Sequence, residues 1–343
     1  MTSQATTSRL LLRRFMAALA VAAPTVIACG GDVGGNGGDA GPDTYRNCGG
    51  QQDVKQSYTL CLDASAEAST DASADSGDGG DAAPPNRCFA TCTQACQQLT
   101  MGILGSCAEV PGDAGTMVAT CHFFHPCGRR PAGLESASAN DGSILAKHLA
   151  LSAWMEAASV TAFERMAREL EAHGAPARLI ASARRAAADE VRHTNTMTRL
   201  SKRHGVSPPK PRVRKRALRS LYAIARENAV EGCVRETYGA ILAMWQANHA
   251  GDSSLRRAMK VIAEDERRHA ALAMTVAAWI EPKLTNAQRA RLLAARERAI
   301  EGLARELAKK AEASLVREAG IPTASIALQL HATLRDTVWS HAA

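Results

Sequence analysis

Two copies of one five-residue pattern place acidic and imidazole side chains at a spacing suited to metal binding. Residues Asp189-Glu190-Val191-Arg192-His193 and Asp265-Glu266-Arg267-Arg268-His269 both follow the pattern Asp-Glu-x-Arg-His. At this chain's residue frequencies, one copy is expected about 0.002 times by chance and two copies on the order of 10⁻⁶ times. Because residues three apart lie on one face of a helix, each copy offers a carboxylate and an imidazole to the same ion.

Two further glutamates stand at matching offsets before these patterns. Glu156 precedes the glutamate of the first copy by 34 residues, and Glu231 precedes that of the second copy by 35 residues. An aromatic residue follows each of them seven residues later, Phe163 in the first half and Tyr238 in the second. The matching offsets indicate an internal duplication of a two-helix unit.

All six acidic and imidazole side chains fall where helical periodicity demands an apolar residue. In four predicted helices the apolar positions step by alternating threes and fours, which is the buried stripe of a left-handed bundle. Four buried carboxylates are untenable without compensation, because each ion costs several kcal/mol to desolvate. Two divalent cations match their charge, and two neutral imidazoles complete the coordination. The predicted ligands of the two metal ions are Glu156, Glu190, His193, Glu231, Glu266 and His269.

Capping residues, glycines and prolines divide the remainder of the chain into helices. We predict four helices over 143–173, 176–205, 220–250 and 254–280, and two more over 286–318 and 323–341. Residues 206–219 contain three prolines and form a long connection between the second and third helices. Short connections within each pair and one long crossover between the pairs predict a four-helix bundle at 141–282. Residues 283–343 form an appended helical hairpin in this prediction.

The patterned segment, from about residue 149 to residue 281, resembles the ferritin-like di-iron carboxylate superfamily. Asp-Glu-x-Arg-His is similar to the motif of its ribonucleotide reductase small-subunit and acyl-carrier-protein desaturase branches. Residues 120–343 look more closely like an uncharacterised group of ferritin-like lipoproteins from myxobacteria. The resemblance implies an all-α, ferritin-like four-helix bundle and a di-iron centre, with manganese or zinc also compatible, but no known substrate. The segments that carry this closer resemblance are Cys127-Gly128-Arg129-Arg130-Pro131, Glu156-Ala157-Ala158-Ser159-Val160 and Glu227-Asn228-Ala229-Val230-Glu231-Gly232-Cys233.

The same resemblance implies roles for four charged neighbours of the ligands. Asp189 and Asp265 would accept hydrogen bonds from the ligand imidazoles and fix their orientation. Arg192 and Arg268, three residues after each aspartate, would balance the aspartate charges. The alternative is that both aspartates form ordinary surface salt bridges.

Two residues of the third helix have both a functional and a structural interpretation. Glu227 lies one turn before Glu231 and is either a seventh ligand or a carboxylate near the bundle end that reaches water. Tyr238 is either a radical or electron relay or a packing residue of the core. The sequence leaves both pairs of alternatives open.

The N-terminus indicates export and lipid anchoring. Arg13-Arg14 precede an apolar run over 15–28 that is too short to span a membrane. The run ends in Val26-Ile27-Ala28-Cys29, which resembles a bacterial lipobox with Cys29 as the lipidated residue; an ordinary signal peptide with a chance cysteine is the alternative. Twin-arginine and general secretory export both remain open. We therefore predict a signal peptide over 1–29, a bacterial cell-envelope location, a membrane partner and no nucleic-acid partner, despite the net charge of +7.

The segment between the signal peptide and the bundle divides into two parts. Residues 30–87 are rich in Gly, Ala, Ser and Asp, so we predict a flexible tether. Residues 88–140 form a predicted Cys-rich disulfide module, because an even number of cysteines outside the cytosol indicates disulfides. A metal site that combines these cysteines with His122 and His125 is the alternative. The candidate disulfide cysteines are Cys48, Cys61, Cys88, Cys92, Cys96, Cys107, Cys121 and Cys127.

Three functions agree with this sequence. An oxidoreductase would use the metal centre with O₂ or peroxide and would need an electron donor that the sequence does not identify. A non-catalytic envelope protein would bind iron, manganese or zinc for sequestration. A structural lipoprotein would use the site only to hold its helices together. A ferritin storage cage is disfavoured, because a lipid anchor, a Cys-rich module and two added helices do not fit a closed shell.

Overall fold

The computed structural model describes residues 51–60, 88–89, 91–97, 103–112, 116–124, 128–135, 137 and 142–340. The predicted signal peptide and four of the predicted cysteines, Cys29, Cys48, Cys61 and Cys127, lie outside these ranges. The described chain is mostly helical. None of its described helices combines the length and the apolar character that a membrane span requires.

The N-terminal part is a four-stranded sheet with one short helix. Strands pair in the order β2-β1-β4-β3; β4 is antiparallel to both of its neighbours, and β1 and β2 are parallel. The elements are β1 Gln51–Leu60, β2 Cys88–Phe89, α1 Cys92–Gln97, β3 Ile103–Pro111 and β4 Thr116–Phe124.

This sheet corrects two predictions, that the fold is all-α and that a flexible tether fills 30–87. β1 lies within that segment, and its described side chains over 57–59 alternate between buried and exposed. Tyr58 is 4% exposed, whereas Ser57 and Thr59 beside it are exposed. Because residues 30–87 are mostly polar, their composition did not indicate this strand, whose side chains alternate with the period of two that strands have.

Two disulfides fasten α1 to the sheet. Cys92 pairs with Cys107 of β3, and Cys96 pairs with Cys121 of β4. Cys92 and Cys96, one helical turn apart on α1, therefore take partners on two different strands. Cys88 belongs to β2.

Four helical stretches form the bundle that follows. The first two are α2 and α3, and the third is a continuous helix made of α4, the π-helix π1 and α5. The fourth is α6. Ser143 and Ser220 cap the first and third stretches. The side-chain hydroxyl of each serine accepts a hydrogen bond from the main-chain N–H three residues later. The bounds are α2 Ile144–Ala172, α3 Ala177–Arg203, α4 Leu221–Glu227, π1 Asn228–Glu236, α5 Thr237–His249 and α6 Ser253–Ile280.

The C-terminal part packs against α5 and α6 and differs from the predicted hairpin. Its elements are α7 Asn286–Leu307, π2 Leu315–Ala319, α8 Ala324–Leu334 and π3 Arg335–Trp339. The prediction of one helix over 286–318 was wrong, because α7 ends at Leu307. The break lets Leu315 and Ala319 join an apolar cluster at the bundle end, and Gly251 N–H bonds the Arg317 carbonyl at 3.0 Å. Tertiary packing overrides local helix propensity here.

The apolar core of the bundle is divided along its length. One cluster, which includes Leu145, Leu200 and Leu255, fills one end, and another, which includes Leu170 and Val276, fills the other. On every one of the four helical stretches, the acidic or imidazole residues fall between the contributions to these two clusters. The site therefore lies in the middle of the bundle.

Candidate metal centre

The structure brings five of the six predicted ligands together. Glu156, Glu190, His193 and Glu266 each offer one atom, and these atoms all lie within 4.8 Å of one another. The Nδ1 atom of His193 is 3.7 Å from Glu156, 3.5 Å from Glu190 and 3.4 Å from Glu266. These four side chains come from α2, α3 and α6 and are buried.

His269 approaches the same carboxylates from the other side. Its Nδ1 atom lies 3.2 Å from Oε1 of Glu190 and 3.6 Å from Oε1 of Glu266. The two imidazole centroids are 6.0 Å apart. Glu190 and Glu266 therefore lie between the two imidazoles, each within reach of both.

Each imidazole is oriented by the aspartate of the other motif. Nε2 of His193 bonds Asp265 at 3.0 Å, and Nε2 of His269 bonds Asp189 at 3.3 Å. An ionised carboxylate only accepts, so each Nε2 carries a hydrogen, and each Nδ1 faces the cluster. The aspartates thus accept from the imidazoles as the resemblance implied, but the pairing is crossed between the two halves of the duplication.

Arg192 and Arg268 join both aspartates into one network. Arg192 binds Asp189 at 2.5 Å and Asp265 at 3.1 Å, and Arg268 binds Asp265 and, at 3.3 Å, Asp189. Burial alone would raise the pKa of Asp189, but hydrogen bonds from His269 and Arg192 lower it to about 2. The aspartates are buried and the arginines are about half exposed, so this network closes the centre on its α3–α6 side.

Several buried polar atoms of the cluster are arranged as the ligands of a cation would be. Nδ1 of His193, Nδ1 of His269 and Oε2 of Glu190 are buried and find no hydrogen-bond partner among the described residues. Burial, and then the charge of Glu190, raises the pKa of Glu156. Burial would lower the pKa of both imidazoles, but the surrounding carboxylates raise it well above its usual range. Lone pairs that face carboxylate oxygens are repulsive unless a proton or a metal ion lies between them.

The spacing of these atoms fits a metal ion. Nitrogen and oxygen donors lie about 2.0–2.2 Å from a bound zinc, which separates neighbouring donors by roughly 3.0–3.5 Å. The separations from the two Nδ1 atoms to the carboxylate oxygens range from 3.2 to 3.7 Å. Carboxylates and imidazoles suit iron, manganese and zinc alike. The buried cluster could therefore hold a divalent metal, and its donors do not select one.

The sixth predicted ligand, Glu231, does not join the five. It is 3% exposed and belongs to π1, where its carboxylate lies 3.9 Å from Nε of Arg235. Burial raises the pKa of Glu231, and the Arg235 charge opposes this rise. A π-helix advances its side chains by a different angle per residue from an α-helix. The α-helical periodicity that placed Glu231 on the inner stripe therefore does not hold in this segment.

Glu227 and Tyr238 also have defined surroundings. Glu227 forms an ion pair with Arg219, which binds Glu169 as well, and this arrangement favours the structural alternative over a seventh ligand. Tyr238 is 1% exposed, and within the described chain its hydroxyl lacks a hydrogen-bond partner. Burial raises its pKa. Its packing in an apolar cluster with Leu303 gives it a core role.

Sequence reasoning missed a buried arginine next to the centre. Arg129 is 1% exposed; its Nη1 bonds Glu236 at 3.0 Å and its Nη2 bonds Asn228 at 3.1 Å. Burial raises the pKa of Glu236 to about 7, and the Arg129 charge opposes this rise. Arg129 and Gly232 both lie in segments that carry the family resemblance, and a side chain at Gly232 would meet the guanidinium at 2.8 Å.

Comparisons of the chain with known protein families, with curated proteins and with solved structures find no match. The function must therefore be argued from this site.

Proposed function

We propose that this chain is a ferritin-like metal protein of the bacterial cell envelope that carries out redox chemistry with O₂ or peroxide. The observation that supports metal binding is the pair of buried Nδ1 atoms that face carboxylates and find no hydrogen-bond partner in the described chain. The short α2–α3 and α5–α6 connections and the long connection between α3 and α4 support a ferritin-like arrangement.

In this proposal the protein residues position the metal and hold its surroundings. Glu156, Glu190, His193 and Glu266 bind the ion, and Asp265 keeps the His193 lone pair directed at it. When iron or manganese is bound, it supplies the electron transfer to O₂ or peroxide. The two apolar clusters keep bulk water away from the centre along the bundle axis. Glu156 and Glu266, with side chains 12% and 11% exposed, lie nearest to solvent and define the side from which a small oxidant would approach.

Envelope location and lipid anchoring belong to the same proposal. The lipobox-like Val26-Ile27-Ala28-Cys29 supports anchoring of the mature chain at Cys29. The Cys92–Cys107 and Cys96–Cys121 disulfides support an oxidising compartment, since disulfides are rare in the cytosol. A Cys29→Ala variant should lose its acyl chain and leave the membrane fraction. Continued membrane retention of this variant would contradict the anchoring step alone.

Metal binding is tested with the natively expressed protein. We expect purified wild-type chain to contain iron or manganese by elemental analysis, and Glu190→Gln to lose most of it. Glu164→Gln is the matched control, because it changes the same chemical group on an exposed face of α2. Loss of metal in both variants, or in neither, would contradict this site.

The redox step is tested separately from binding. Protein loaded with Fe²⁺ without oxygen should consume O₂ or peroxide faster than Fe²⁺ in buffer, and Glu190→Gln should not. Binding of Fe²⁺ without such turnover would favour the sequestration alternative. A metal whose removal lowers only the melting temperature would favour the structural alternative.

A further inference from the structure

The long connection between α3 and α4 carries a concentration of positive charge. Residues 206–219 include six lysine and arginine residues and no acidic residue. Two of the six have counter-charges, because Arg219 binds two glutamates and Arg214 lies 3.6 Å from Glu135. The other four are exposed and form no ion pair with any described residue; they are Lys210, Arg212, Lys215 and Arg216.

The backbone of this connection is held in place by main-chain pairing. Two hydrogen bonds, of 2.9 and 3.0 Å, join residues 212–214 to the loop at 128–135. The pairing is antiparallel, and Val213 at its centre packs against an apolar cluster of α2. Successive side chains of an extended chain point to opposite sides, so Arg212 and Arg214 face away from that cluster.

A contact with α2 ties down the same two segments. Arg165 of α2 donates to the carbonyl oxygen of Ala132 at 2.9 Å and to that of Arg214 at 3.4 Å. An added Cβ at Gly133 would lie 3.3 Å from both Cβ of Arg214 and Nε of Arg216. The Arg214 and Arg216 side chains therefore lie next to each other beside the loop, and the positive charge belongs to an ordered surface.

An apolar side chain is exposed in the same segment. Leu218 is 63% exposed and stands two residues after Arg216. A single exposed leucine is common, but this one adjoins cations that have no counter-charge. Cations attract anionic lipid headgroups, and an apolar side chain gains free energy when it enters the boundary between headgroups and acyl chains.

We propose that the connection at 206–219 docks on the surface of an anionic phospholipid bilayer, with its cations at the lipid phosphates and Leu218 inserted between the headgroups. This inference rests on the proposed envelope location, which brings such a bilayer within reach, and is independent of the metal centre. A bilayer suits this surface because mobile headgroups can move to meet the cations, whereas an acidic protein would need a matching apolar pocket for Leu218.

Vesicle binding tests this inference. The mature chain is expressed from residue 30 onward, so that it carries neither the predicted signal peptide nor a lipid. We expect it to sediment with vesicles of phosphatidylglycerol and phosphatidylcholine but not with vesicles of phosphatidylcholine alone. Its affinity for the anionic vesicles should fall as the salt concentration rises, because salt screens exposed charges.

A charge-matched pair of variants assigns the binding to this surface. Each basic side chain near an anionic membrane strengthens binding about fivefold, so removal of four should weaken it by more than about 100-fold. The control removes the same charge from other exposed positions and should stay within about 3-fold, because distant charges are screened. The test variant is Lys210→Gln/Arg212→Gln/Lys215→Gln/Arg216→Gln, and the control is Lys260→Gln/Arg291→Gln/Arg298→Gln/Lys310→Gln.

The inserted leucine has its own matched pair. Leu218→Ser should weaken binding to the anionic vesicles by about tenfold, because burial of a leucine side chain in apolar surroundings is favourable. Leu293→Ser makes the same chemical change on α7, where the leucine is 44% exposed, and should leave binding unchanged. Equal effects of the two substitutions would overturn the insertion of Leu218.

The outcomes also separate this inference from the proposed function. No binding to anionic vesicles, or equal losses in the two quadruple variants, would overturn the docking surface and leave an acidic protein as its partner. Metal content and Cys29→Ala fractionation report on the metal centre and the anchor independently of this result. The fractionation uses membranes washed in 1 M salt, where the Debye length of about 3 Å screens the docking surface, so that only the lipid retains the chain.

Discussion

Each imidazole bonds the aspartate of the other motif. Metal binding at His193 should therefore depend on Asp265 more than on Asp189, although Asp189 is the nearer residue in the sequence. Asp189 precedes His193 by one helical turn, yet the structure bonds His193 to Asp265 at 3.0 Å and Asp189 to His269. Asp265→Asn should therefore weaken metal binding at His193 more than Asp189→Asn does. Asparagine keeps the side-chain volume and removes the charge that orients Nε2–H.

The expected size of this effect follows from similar contacts elsewhere. Loss of a carboxylate that orients a ligand imidazole typically costs about 10- to 100-fold in metal affinity, or about 1.4–2.8 kcal/mol. Asp265→Asn should fall in that range, and Asp189→Asn should stay within about 3-fold of wild type. Both aspartates bind both Arg192 and Arg268, so the two variants disturb the surface network alike. The difference between them isolates the imidazole contact.

Competition with a chelator for Zn²⁺ or Mn²⁺ measures these affinities. Asp336→Asn, an exposed aspartate in π3, serves as a control for the charge change alone. The crossed pairing is refuted if Asp189→Asn weakens the ion as much as Asp265→Asn does, or more. The free energy of unfolding of both metal-free variants should also be measured by denaturant titration. The two metal affinities can be compared if Asp189→Asn and Asp265→Asn lose similar amounts of this free energy.

Three further predictions concern protons and buried contacts. The raised pKa values of His193 and His269 mean that metal binding displaces protons from these imidazoles. The apparent metal affinity should therefore strengthen with rising pH, by about tenfold per pH unit for each proton released. Calorimetry in buffers of different ionisation enthalpy counts the released protons. Arg235→Met should cost about 3–5 kcal/mol of unfolding free energy by stranding Glu306, and Arg235→Met/Glu306→Leu should recover most of it in denaturant titrations. Gly232→Ala should cost about 1–3 kcal/mol in the same assay, because three side chains lie 2.7–2.8 Å from its Cβ.

The sequence was sufficient to locate the four helical stretches of the bundle and the position of the site along them. Ser143 and Ser220 were predicted helix starts, and each caps its helix in the structure. Caps and apolar spacing act over a few residues, so a single sequence carries them. The same local periodicity put Glu190 and His193 between apolar positions on α3, and the structure has them between the two apolar clusters.

What the sequence could not supply depends on contacts between distant segments. The inward face of π1 is set by the packing of Gly232 against Ala273 and by Arg129, which is about a hundred residues earlier in the chain. No local pattern encodes a nine-residue π-helix at this point. β1 was missed for a related reason, because its partner strand β4 begins 56 residues after β1 ends and its own composition is polar.

The two halves of the duplication differ in the structure, because Glu156 joins the cluster and the equivalent Glu231 lies beside Arg235. Both halves carry a glutamate, the Asp-Glu-x-Arg-His pattern and an aromatic residue at equivalent positions, so a symmetric pair of ions would follow if the helices alone determined the site. Only the first half is preceded by the loop at 128–135, and Arg129 of this loop binds Glu236 and Asn228 in the second half. A loop outside the repeat therefore gives the second half of the duplication a buried ion pair, Arg129–Glu236, beside π1. The Phe163 ring lies next to this ion pair and next to the centre, 5.5 Å from the Arg129 guanidinium and 4.9 Å from the His269 ring.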